Sequence, residues 1–425
     1  MRIIGRSRTA IGIDVGSRSI KAVQLCLSGP LRARPCCGSA LRRDESVRQA
    51  GVGLDRGRHQ IASMAVLPRL KPGGQIDQEE TAKLRQVLKR QGFRGNDIVL
   101  AVPDDKLLRG VFELPRQVSG DALNQIARME MSRTHNIAAD SFEMACWSAE
   151  GGFEGGPSRA PSHAGLVSAE CRAGAGQAGP VLSRVEGSRD FAAKPTAQTM
   201  VVGCLHEAAN TILDVFEQSG FNVVALDTAS SATIRACAPL ILTPPAITSI
   251  LDLGWSSTKL LLVCGRIIVY ERQLGEVCIS KLLSRLTAIS GITEQGAWQV
   301  VSAVGFTADA EPTELDQQTL AAIRKILAGH FGMLPEELKA PFAYANHQYP
   351  GEGIKRLLLI GGGAAISGIA QHLQQTLAME TMPAPPCNIV RNSGQTVAGG
   401  GNPAATVALG LAQFAARPSS PKSGA

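Results

Sequence analysis

The alternation of strands and helices predicted along the sequence is typical of an α/β protein. Two stretches have the same design: TAIGIDVGSRSIKAVQL at 9–25 and TSILDLGWSSTKLLLV at 248–263. In each of them an apolar strand ends in Asp-aliphatic-Gly, a small polar turn follows, and a second apolar strand begins. A third stretch, RLLLIGGGAAISGI at 356–369, joins a buried strand to the start of a helix through three glycines.

The first turn has the residues of an anion-binding hairpin. Gly16 lets the backbone approach a ligand closely, and successive amides of a tight turn make a concave nest for anionic oxygens. Asp14 ends the strand and is the type of ligand that holds a hydrated Mg²⁺. Alone, the stretch fits an ordinary surface hairpin equally well. The second copy, at Asp252 and Gly254, favours a binding site.

Between the two hairpins, strands and helices alternate. Thr81, Leu84 and Leu88 recur at helical spacing and predict a helix over 75–91, which Gly92 ends. The other elements predicted in this half are strands at 64–67, 97–102, 107–114, 141–149, 200–205 and 223–226, and helices at 119–133, 207–220 and 228–238.

After the second hairpin the pattern is more helical. A strand at 266–272 is followed by predicted helices, and a buried strand returns at 356–360. The helices are predicted at 279–289, 293–303, 315–331, 335–344 and 402–414.

Three segments lack such patterns. Residues 28–60 are rich in Arg, Gly and Cys without periodicity and are predicted to form a loop. Residues 151–195 are dominated by Gly, Ala, Ser, Pro and Arg, so they bury too little apolar area to offset the entropy of ordering. We expect this insertion and the tail at 416–425 to be disordered.

The composition excludes several classes of protein. A chain of 425 residues makes two or more domains with sizeable cores. Aromatic residues are only 4%, so there is no platform for stacking single-stranded nucleic acid. The net charge of +7 comes largely from arginines near the N-terminus, so we expect no nucleic-acid partner. The basic segment 28–60 fits a solvated loop or, alternatively, weak attraction to anionic lipid.

The spacing of the cysteines and the length of the apolar runs exclude further classes of protein. Ten cysteines occur without CxxC spacing, so no metal or disulfide pattern is present. No apolar run approaches the roughly 20 residues that span a bilayer, and the N-terminus lacks the apolar region of a signal peptide. We therefore expect a cytoplasmic protein.

The two Asp-Gly turns together with the Gly-Gly-Gly loop resemble the actin-like ATPase fold. Within that fold, the chain resembles the PilM-type proteins of type IV pilus assembly. Residues 96–146, beginning NDIVLAVPDDKLLRGVFELPR, and residues 199–237 resemble that family's inserted subdomain. The resemblance covers most of the chain and leaves out 28–60, 151–198 and the tail.

The resemblance implies an actin-like, ribonuclease H-like α/β fold. Two large subdomains would surround a nucleotide cleft, with a small inserted α+β subdomain and a helical subdomain. The implied divisions are 1–60 with 228–246 for the first large subdomain, 61–227 for the insertion, 247–278 with 354–415 for the second large subdomain, and 279–353 for the helical one.

The resemblance also implies that the two turns bracket the phosphates of ATP. Asp14 and Asp252 would hold Mg²⁺ through water and are the possible catalytic residues. No dedicated general base is evident, so hydrolysis would be slow at most. For Lys21 and Lys259 a solvated strand face is an equally good interpretation. The residues expected to bind nucleotide are Asp14, Gly16, Ser17, Arg18, Ser19, Lys21, Asp252, Gly254, Ser256, Ser257, Thr258, Gly361, Gly362, Gly363 and Ala364.

The chain departs from the family pattern where that pattern contacts the nucleoside. The family's Gly-Gly pair at the start of a helix is matched here by Val277 and Cys278. The polar residues of its Ala-Glu-x-x-Lys segment, which contact ribose and base, are matched by Ala297 and Val300. Each lost buried contact costs on the order of 1–3 kcal/mol. We therefore expect the phosphate contacts to persist while adenine selectivity is reduced.

Two further departures lie in the turns themselves. Trp255 replaces a small residue in the second turn and would narrow the cleft. Arg18 enters the first turn and would pair with phosphate.

The family resemblance implies a scaffold at the inner face of the cytoplasmic membrane. Its partner would be a PilN-type single-pass membrane protein, whose N-terminal peptide would bind a groove lined from 97–114 and 199–237. Contact with the membrane would be indirect, and self-association is a further expectation. The alternatives are a small-molecule kinase of the actin-like superfamily and a degenerate scaffold without nucleotide. A cell-division actin homologue and a secretion platform protein are disfavoured, because the membrane-binding segment each requires is missing.

Overall fold

The computed structural model of the protein describes residues 8–27, 59–149, 167–168, 196–306, 316–349, 353–390 and 400–414. Its strands are β1 (Ile11–Val15), β2 (Ser19–Leu27), β3 (His59–Pro68), β4 (Asp97–Val102), β5 (Leu107–Pro115), β6 (Phe142–Ser148), β7 (Val167–Ser168), β8 (Thr196–Leu205), β9 (Asn222–Thr228), β10 (Ile247–Leu253), β11 (Thr258–Cys264), β12 (Ile267–Leu274), β13 (Ile354–Ile360) and β14 (Glu380–Pro383). Its helices are α1 (Gln78–Arg90), α2 (Asp121–His135), α3 (His206–Gln218), α4 (Ala229–Cys237), α5 (Ile279–Ser290), α6 (Glu294–Val304), α7 (Gln317–Phe331), α8 (Leu334–Gln348), α9 (Ile369–Leu377), α10 (Pro386–Ile389) and α11 (Thr406–Phe414).

The first sheet has the strand order β3-β2-β1-β4-β9-β7. Strand β1 pairs antiparallel with β2 and parallel with β4. The central strands of this sheet are continuous apolar runs because helices cover both faces of the sheet. One apolar cluster packs α1 and α3 on the sheet, and another packs α4 and α11 on it. This sheet with these four helices is called the first lobe below.

The second sheet repeats that local plan. Its order is β12-β11-β10-β13-β14, and β10 pairs antiparallel with β11 and parallel with β13. Asp14 lies opposite Lys21 in the first hairpin, and Asp252 lies opposite Lys259 in the second. The two hairpins therefore place the same pair of residue types at the same register. This sheet with α5–α9 is called the second lobe.

A third sheet, β5-β8-β6, is inserted between β4 and β9. One face packs on α2 around Phe142 and Met131. The other face joins the core of the second lobe through Trp147, whose indole N–H donates to the Ile268 carbonyl at 3.2 Å. The Tyr344 hydroxyl of α8 also donates to a β8 side chain, at 2.9 Å. The inserted sheet therefore packs against the second lobe, although the chain enters it from β4 and returns to β9, which are both strands of the first sheet.

This pairing differs from the predicted division of the chain. The range 61–227 was predicted as the insertion, but β3, β4 and β9 within it hydrogen-bond into the first sheet. The apolar run at 98–102 belongs there because a central parallel strand is buried on both faces. The three-stranded sheet accounts for the insertion only between 107 and 205. Assignment of subdomains beyond this pairing stays a prediction.

Several predicted segments fall largely outside the described residues. They are residues 28–58 of the predicted loop 28–60, most of the predicted disordered segment 151–198, and the tail at 416–425. Within 151–198, residues 167–168 form β7 and 196–198 begin β8, so strands occur where disorder was predicted.

The C-terminal helix α11 packs on the first sheet and approaches α4 very closely. A Cβ placed on Gly410 would lie 1.8 Å from the Ala232 carbonyl oxygen, so only glycine fits at this crossing. The Gly410 carbonyl accepts from Arg235 at 2.7 Å, and Arg235 also pairs with buried Asp227 at 2.8 Å. In the part of the chain described, no helix is both long enough and apolar enough to cross a membrane.

Candidate functional site: a cleft between two matched turns

The β1–β2 turn and the β10–β11 turn meet across a cleft of about 800 Å³. One contact between the turns joins the hydroxyl oxygens of Ser17 and Ser256, which lie 2.8 Å apart. The cleft is therefore bounded by the two stretches that carry the repeated sequence signature. The predicted site residues that line it are Asp14, Gly16, Ser17, Arg18, Ser19, Lys21, Asp252, Gly254, Ser256, Ser257, Gly361 and Gly362.

Lys21 lies in the cleft and not on a solvated strand face. Its ammonium is 3.0 Å from the Asp14 carboxylate, and both side chains are largely buried. The pairing follows from the register of the hairpin, which sets these residues directly opposite each other. Such a cation at the cleft wall can bind a phosphate oxygen as well as Asp14.

Asp252 is the corresponding carboxylate of the second lobe. Burial raises the pKa of Asp252 to about 6, and the charge of Asp14 acts in the same direction, whereas Lys259 opposes the rise. The Asp14 charge contributes because both strand ends open into the same cleft. Both carboxylates thus line the cleft, where a bound cation would relieve their repulsion.

The donor set fits a magnesium ion that arrives with its ligand. Mg²⁺ usually keeps several waters and takes one or two carboxylates together with substrate phosphates. Asp14 and Asp252 supply such a pair. No cluster of three or more His, Cys, Asp or Glu side chains suited to a metal occurs among the described residues, so no all-protein metal cage is found there.

The sequence did not identify Asp104, which is part of the cleft wall. Its carboxylate lies 2.6 Å from the Lys259 ammonium and 2.7 Å from the Arg109 guanidinium. Burial raises the pKa of Asp104, but these two cations outweigh it and leave the pKa below its ordinary value. The available signal was position: Asp104 follows β4, whose carboxyl end is beside that of β1.

Lys259 is therefore a buried, paired cation. Its side chain is 7% exposed, and it also lies 3.7 Å from the Glu271 carboxylate. The alternative of a solvated strand face does not apply to it.

Of the three glycines after β13, Gly361 and Gly362 line the cleft, as does Ala365 further along the same turn. Gly361 has φ 83° and ψ 175°, a conformation that glycine alone adopts readily. A Cβ at Gly361 would be 2.2 Å from an Asp252 carboxylate oxygen. Gly363 instead packs against Leu253, and neither it nor Ala364 lines the cleft.

Thr258 is also turned away from the cleft. Its hydroxyl donates to the Val277 carbonyl, and its side chain is fully buried. Side chains alternate along a strand, so the arrangement that brings Lys259 to the cleft sends Thr258 to the core. The predicted hydroxyl donors are therefore reduced to the serines of the two turns.

The backbone amides at the start of each turn are engaged within the turn. The Gly16 N–H donates to the Ser19 carbonyl, and the Gly254 N–H donates to the Asp252 carbonyl, each at 3.0 Å. Any amides offered to an anion are thus those of the turn residues that follow these glycines.

Two tryptophans, Trp255 and Trp298, line the cleft near Ala297, the position where the family pattern has a polar contact with the nucleoside. Ala297 is fully buried in the core, as is Val277. Trp298, one residue further along α6, lines the cleft, and its ring lies edge-on to Trp255, with centroids 6.3 Å apart. Trp255 does lie in the cleft, as predicted, whereas the contribution of Trp298 was not anticipated.

No family model and no curated protein matches this sequence. Among solved structures, the chain is similar to the PilM-PilN type IV pilus biogenesis complex, with a TM-score of 0.65, 18% identity, and coverage of 97% of this chain and 100% of that chain. It is also similar to the ethanolamine utilization protein EutJ from Carboxydothermus hydrogenoformans (TM-score 0.47, 11% identity, 97% and 92% coverage). MreB5 of Spiroplasma citri bound to ADP gives a TM-score of 0.45, 13% identity and 96% coverage of each chain.

The first of these likenesses covers 97% of this chain and all of the other. At its level of identity it shows a shared fold. The chain therefore has the actin-like α/β fold predicted from its turns and glycine loop, the fold of a chain of the PilM-PilN complex.

Proposed function

We propose that the protein is an actin-like nucleotide-binding protein of type IV pilus assembly, which scaffolds the inner-membrane platform. The observation that carries the proposal is the fold shared, end to end, with a chain of the PilM-PilN type IV pilus biogenesis complex. The cleft with its matched Asp-Gly turns supplies the second part, a site for a polyphosphate.

The ligand that fits the cleft is ATP with Mg²⁺. Lys21 and Arg18 supply cations for phosphate oxygens, and Ser17, Ser256 and Ser257 supply hydroxyl donors. Asp14 and Asp252 would hold Mg²⁺ through water. The adenosine would approach the main chain at the first two glycines of the loop after β13.

Base selectivity should be weak. The polar contacts of the family pattern are absent at Ala297, which is buried in the core. The neighbouring wall of Trp255 and Trp298 offers apolar surface, which discriminates poorly between purines. Binding of ATP and GTP should therefore differ little.

Turnover, if present, should be slow. Asp104 is held by two cations, and Asp14 is paired with Lys21. Neither is a free general base of the type that activates an acceptor hydroxyl or a water, and Asp252 is assigned in this proposal to Mg²⁺. We therefore do not favour a small-molecule kinase.

The proposed partner is the N-terminal peptide of a PilN-type single-pass membrane protein. The two segments expected to line its groove, 97–114 and 199–237, are brought together by the pairing of β5 with β8. Strand β5 is an edge strand among the described residues, and Val111 on it is 59% exposed. An extended peptide can add to such an edge. Location at the inner membrane face would follow from this partner, with membrane contact only through it.

The nucleotide proposal is tested by calorimetry with ATP and Mg²⁺. We expect micromolar binding by the wild type that is lost in Asp14→Ala and kept in Asp140→Ala, which removes an exposed carboxylate on the inserted subdomain. If the wild type binds no ATP at millimolar concentration, the nucleotide part is refuted and the protein is a nucleotide-free scaffold.

The partner proposal needs a separate experiment. A labelled peptide with the cytoplasmic N-terminal sequence of the PilN-type protein of the same organism is titrated and followed by fluorescence anisotropy. Val111→Asp should abolish binding, whereas Met129→Asp, which changes a similarly exposed apolar side chain on α2, should not. Absence of binding to the wild type would refute the partner and leave the nucleotide proposal standing.

A further inference from the structure

We infer that Arg18 is a latch with two positions, one that closes the cleft against the second lobe and one that binds the phosphates of an entering ligand. This inference rests on the proposed function, since it assigns a role to one residue of the proposed nucleotide site. The ligand it concerns is a polyphosphate anion, either alone or as part of a nucleotide.

The closed position is defined by two contacts. The Arg18 guanidinium donates to a Glu294 carboxylate oxygen at 2.6 Å. The carbon of the same guanidinium lies 4.0 Å from the centre of the Trp255 ring. Arg18 belongs to the first lobe and both partners belong to the second, so one side chain joins the two lobes across the mouth of the cleft.

The hydroxyls beside the latch are paired in the same way. Ser17 and Ser256, each next to a latch residue in the chain, meet at 2.8 Å across the cleft. The two turns thus use each other's polar groups at the place where phosphate oxygens would lie. A ligand that bridges the turns must take over these contacts, so its apparent affinity includes the cost of opening the latch.

The contacts are of a kind that a phosphate can replace. The Arg18 and Glu294 side chains are 30% and 53% exposed, and exposed ion pairs are weak. A guanidinium can bind a phosphate through two parallel hydrogen bonds, whereas the contact of Arg18 with Glu294 runs through one nitrogen, Nη1. Arg18 can reach the cleft because it already forms part of its lining.

The first test compares three variants by calorimetry with ATP and Mg²⁺. Glu294→Gln removes the partner that holds Arg18 away from the ligand, so binding should tighten by about 3- to 10-fold. Arg18→Ala removes both the latch and the phosphate contact, so it should bind more weakly than Glu294→Gln. Glu79→Gln, which breaks an exposed ion pair with Lys83 on α1, is the matched control and should bind as the wild type does.

Two outcomes of this test contradict the inference. Equal affinities of Glu294→Gln and the wild type would show that the ion pair does not oppose ligand entry. Equal tightening by Glu294→Gln and Arg18→Ala would show that Arg18 only blocks the cleft and does not bind phosphate.

The second test needs no ligand. Amide hydrogen exchange of the free protein is followed in the two turns, residues 16–20 and 253–258. Glu294→Gln should raise exchange in both turns, and Glu79→Gln in neither. Unchanged exchange in Glu294→Gln would refute the latch. Failure of every variant to bind ATP would instead refute the proposed function, together with the phosphate-binding position of Arg18.

Discussion

The ammonium of Lys259 lies 2.6 Å from the carboxylate of Asp104, although 155 residues separate them in the chain. Lys259 is on β11, the strand that follows the second turn of the cleft, and Asp104 lies where the chain leaves β4 for the inserted sheet. Arg109 of β5 shares this carboxylate at 2.7 Å. The cluster therefore connects the cleft to the subdomain that is proposed to bind the partner peptide.

Removing Asp104 should destabilise the protein substantially. Asp104→Ala leaves Lys259, which is 7% exposed, with Glu271 at 3.7 Å as its nearest remaining carboxylate. A buried cation that loses its main partner costs about 3–5 kcal/mol of unfolding free energy, and Glu271 should reduce this to about 2–4 kcal/mol. Urea denaturation measures the change.

The neighbouring Asp105 provides the control. Its side chain is 70% exposed and pairs loosely with Lys106, so Asp105→Ala should cost less than about 0.5 kcal/mol. In a double-mutant cycle, Asp104→Ala with Lys259→Met should cost less than the sum of the two single changes. Additive costs would mean that the two side chains do not interact.

Asp252→Asn should stabilise the ligand-free protein near neutral pH. Burial raises the pKa of Asp252 from 3.8 to about 6. A raised pKa contributes stability that is complete below the unfolded pKa, near 4, and is lost as the pH rises through 6. The variant's advantage in unfolding free energy should therefore grow from about 1 kcal/mol near pH 4.5 to about 3 kcal/mol near pH 7.5.

Urea denaturation at the two pH values tests this directly. Asp140→Asn, an exposed carboxylate change, should show no comparable growth. An advantage of Asp252→Asn that is the same at both pH values would contradict the assigned pKa.

Gly361→Ala should destabilise the fold and damage the cleft, whereas Gly362→Ala should leave the fold unchanged. The added methyl at Gly361 would be 2.2 Å from the Asp252 carboxylate, and the backbone there is in a region open mainly to glycine. We expect a loss of about 1–3 kcal/mol from the backbone alone, and loss of ATP binding. At Gly362 a Cβ meets nothing within 4 Å, so the fold should be unaffected. Thermal unfolding distinguishes the two variants, and calorimetry measures the loss of ATP binding in Gly361→Ala; equal stability of both variants would disprove the close approach.

Gly410→Ala should loosen the C-terminal helix from the first lobe. A Cβ there would lie 1.8 Å from the Ala232 carbonyl oxygen, so α11 and α4 would have to separate, at a cost of about 3 kcal/mol or more. Gly329 is a helical glycine of α7 whose Cβ would meet nothing within 4 Å. Gly329→Ala should stabilise the protein by about 0.5–1 kcal/mol. Opposite shifts in the urea midpoint are the expected result, and a neutral Gly410→Ala would contradict the packing described.

The sequence alone was sufficient for the fold class and for most of the cleft. The two Asp-Gly turns and the glycine loop are local signatures, because a tight turn and a close backbone approach constrain the residues that form them. Asp14 and Asp252 could be identified from strand ends, and Trp255 from its place in a turn. Apolar runs identified most of the strands, but not β7 or β14, nor which sheet β4 and β9 would join.

Only the tertiary structure determined the contacts between residues distant in the chain and the directions in which side chains point. Asp104 meets Lys259, and Arg18 meets Glu294, because the path of the chain brings together elements that are 155 and 276 residues apart. No local pattern contains that path. Thr258 and Lys259 show the second limit: both are polar and adjacent, and only the packing of β11 determines that one faces the core and the other the cleft.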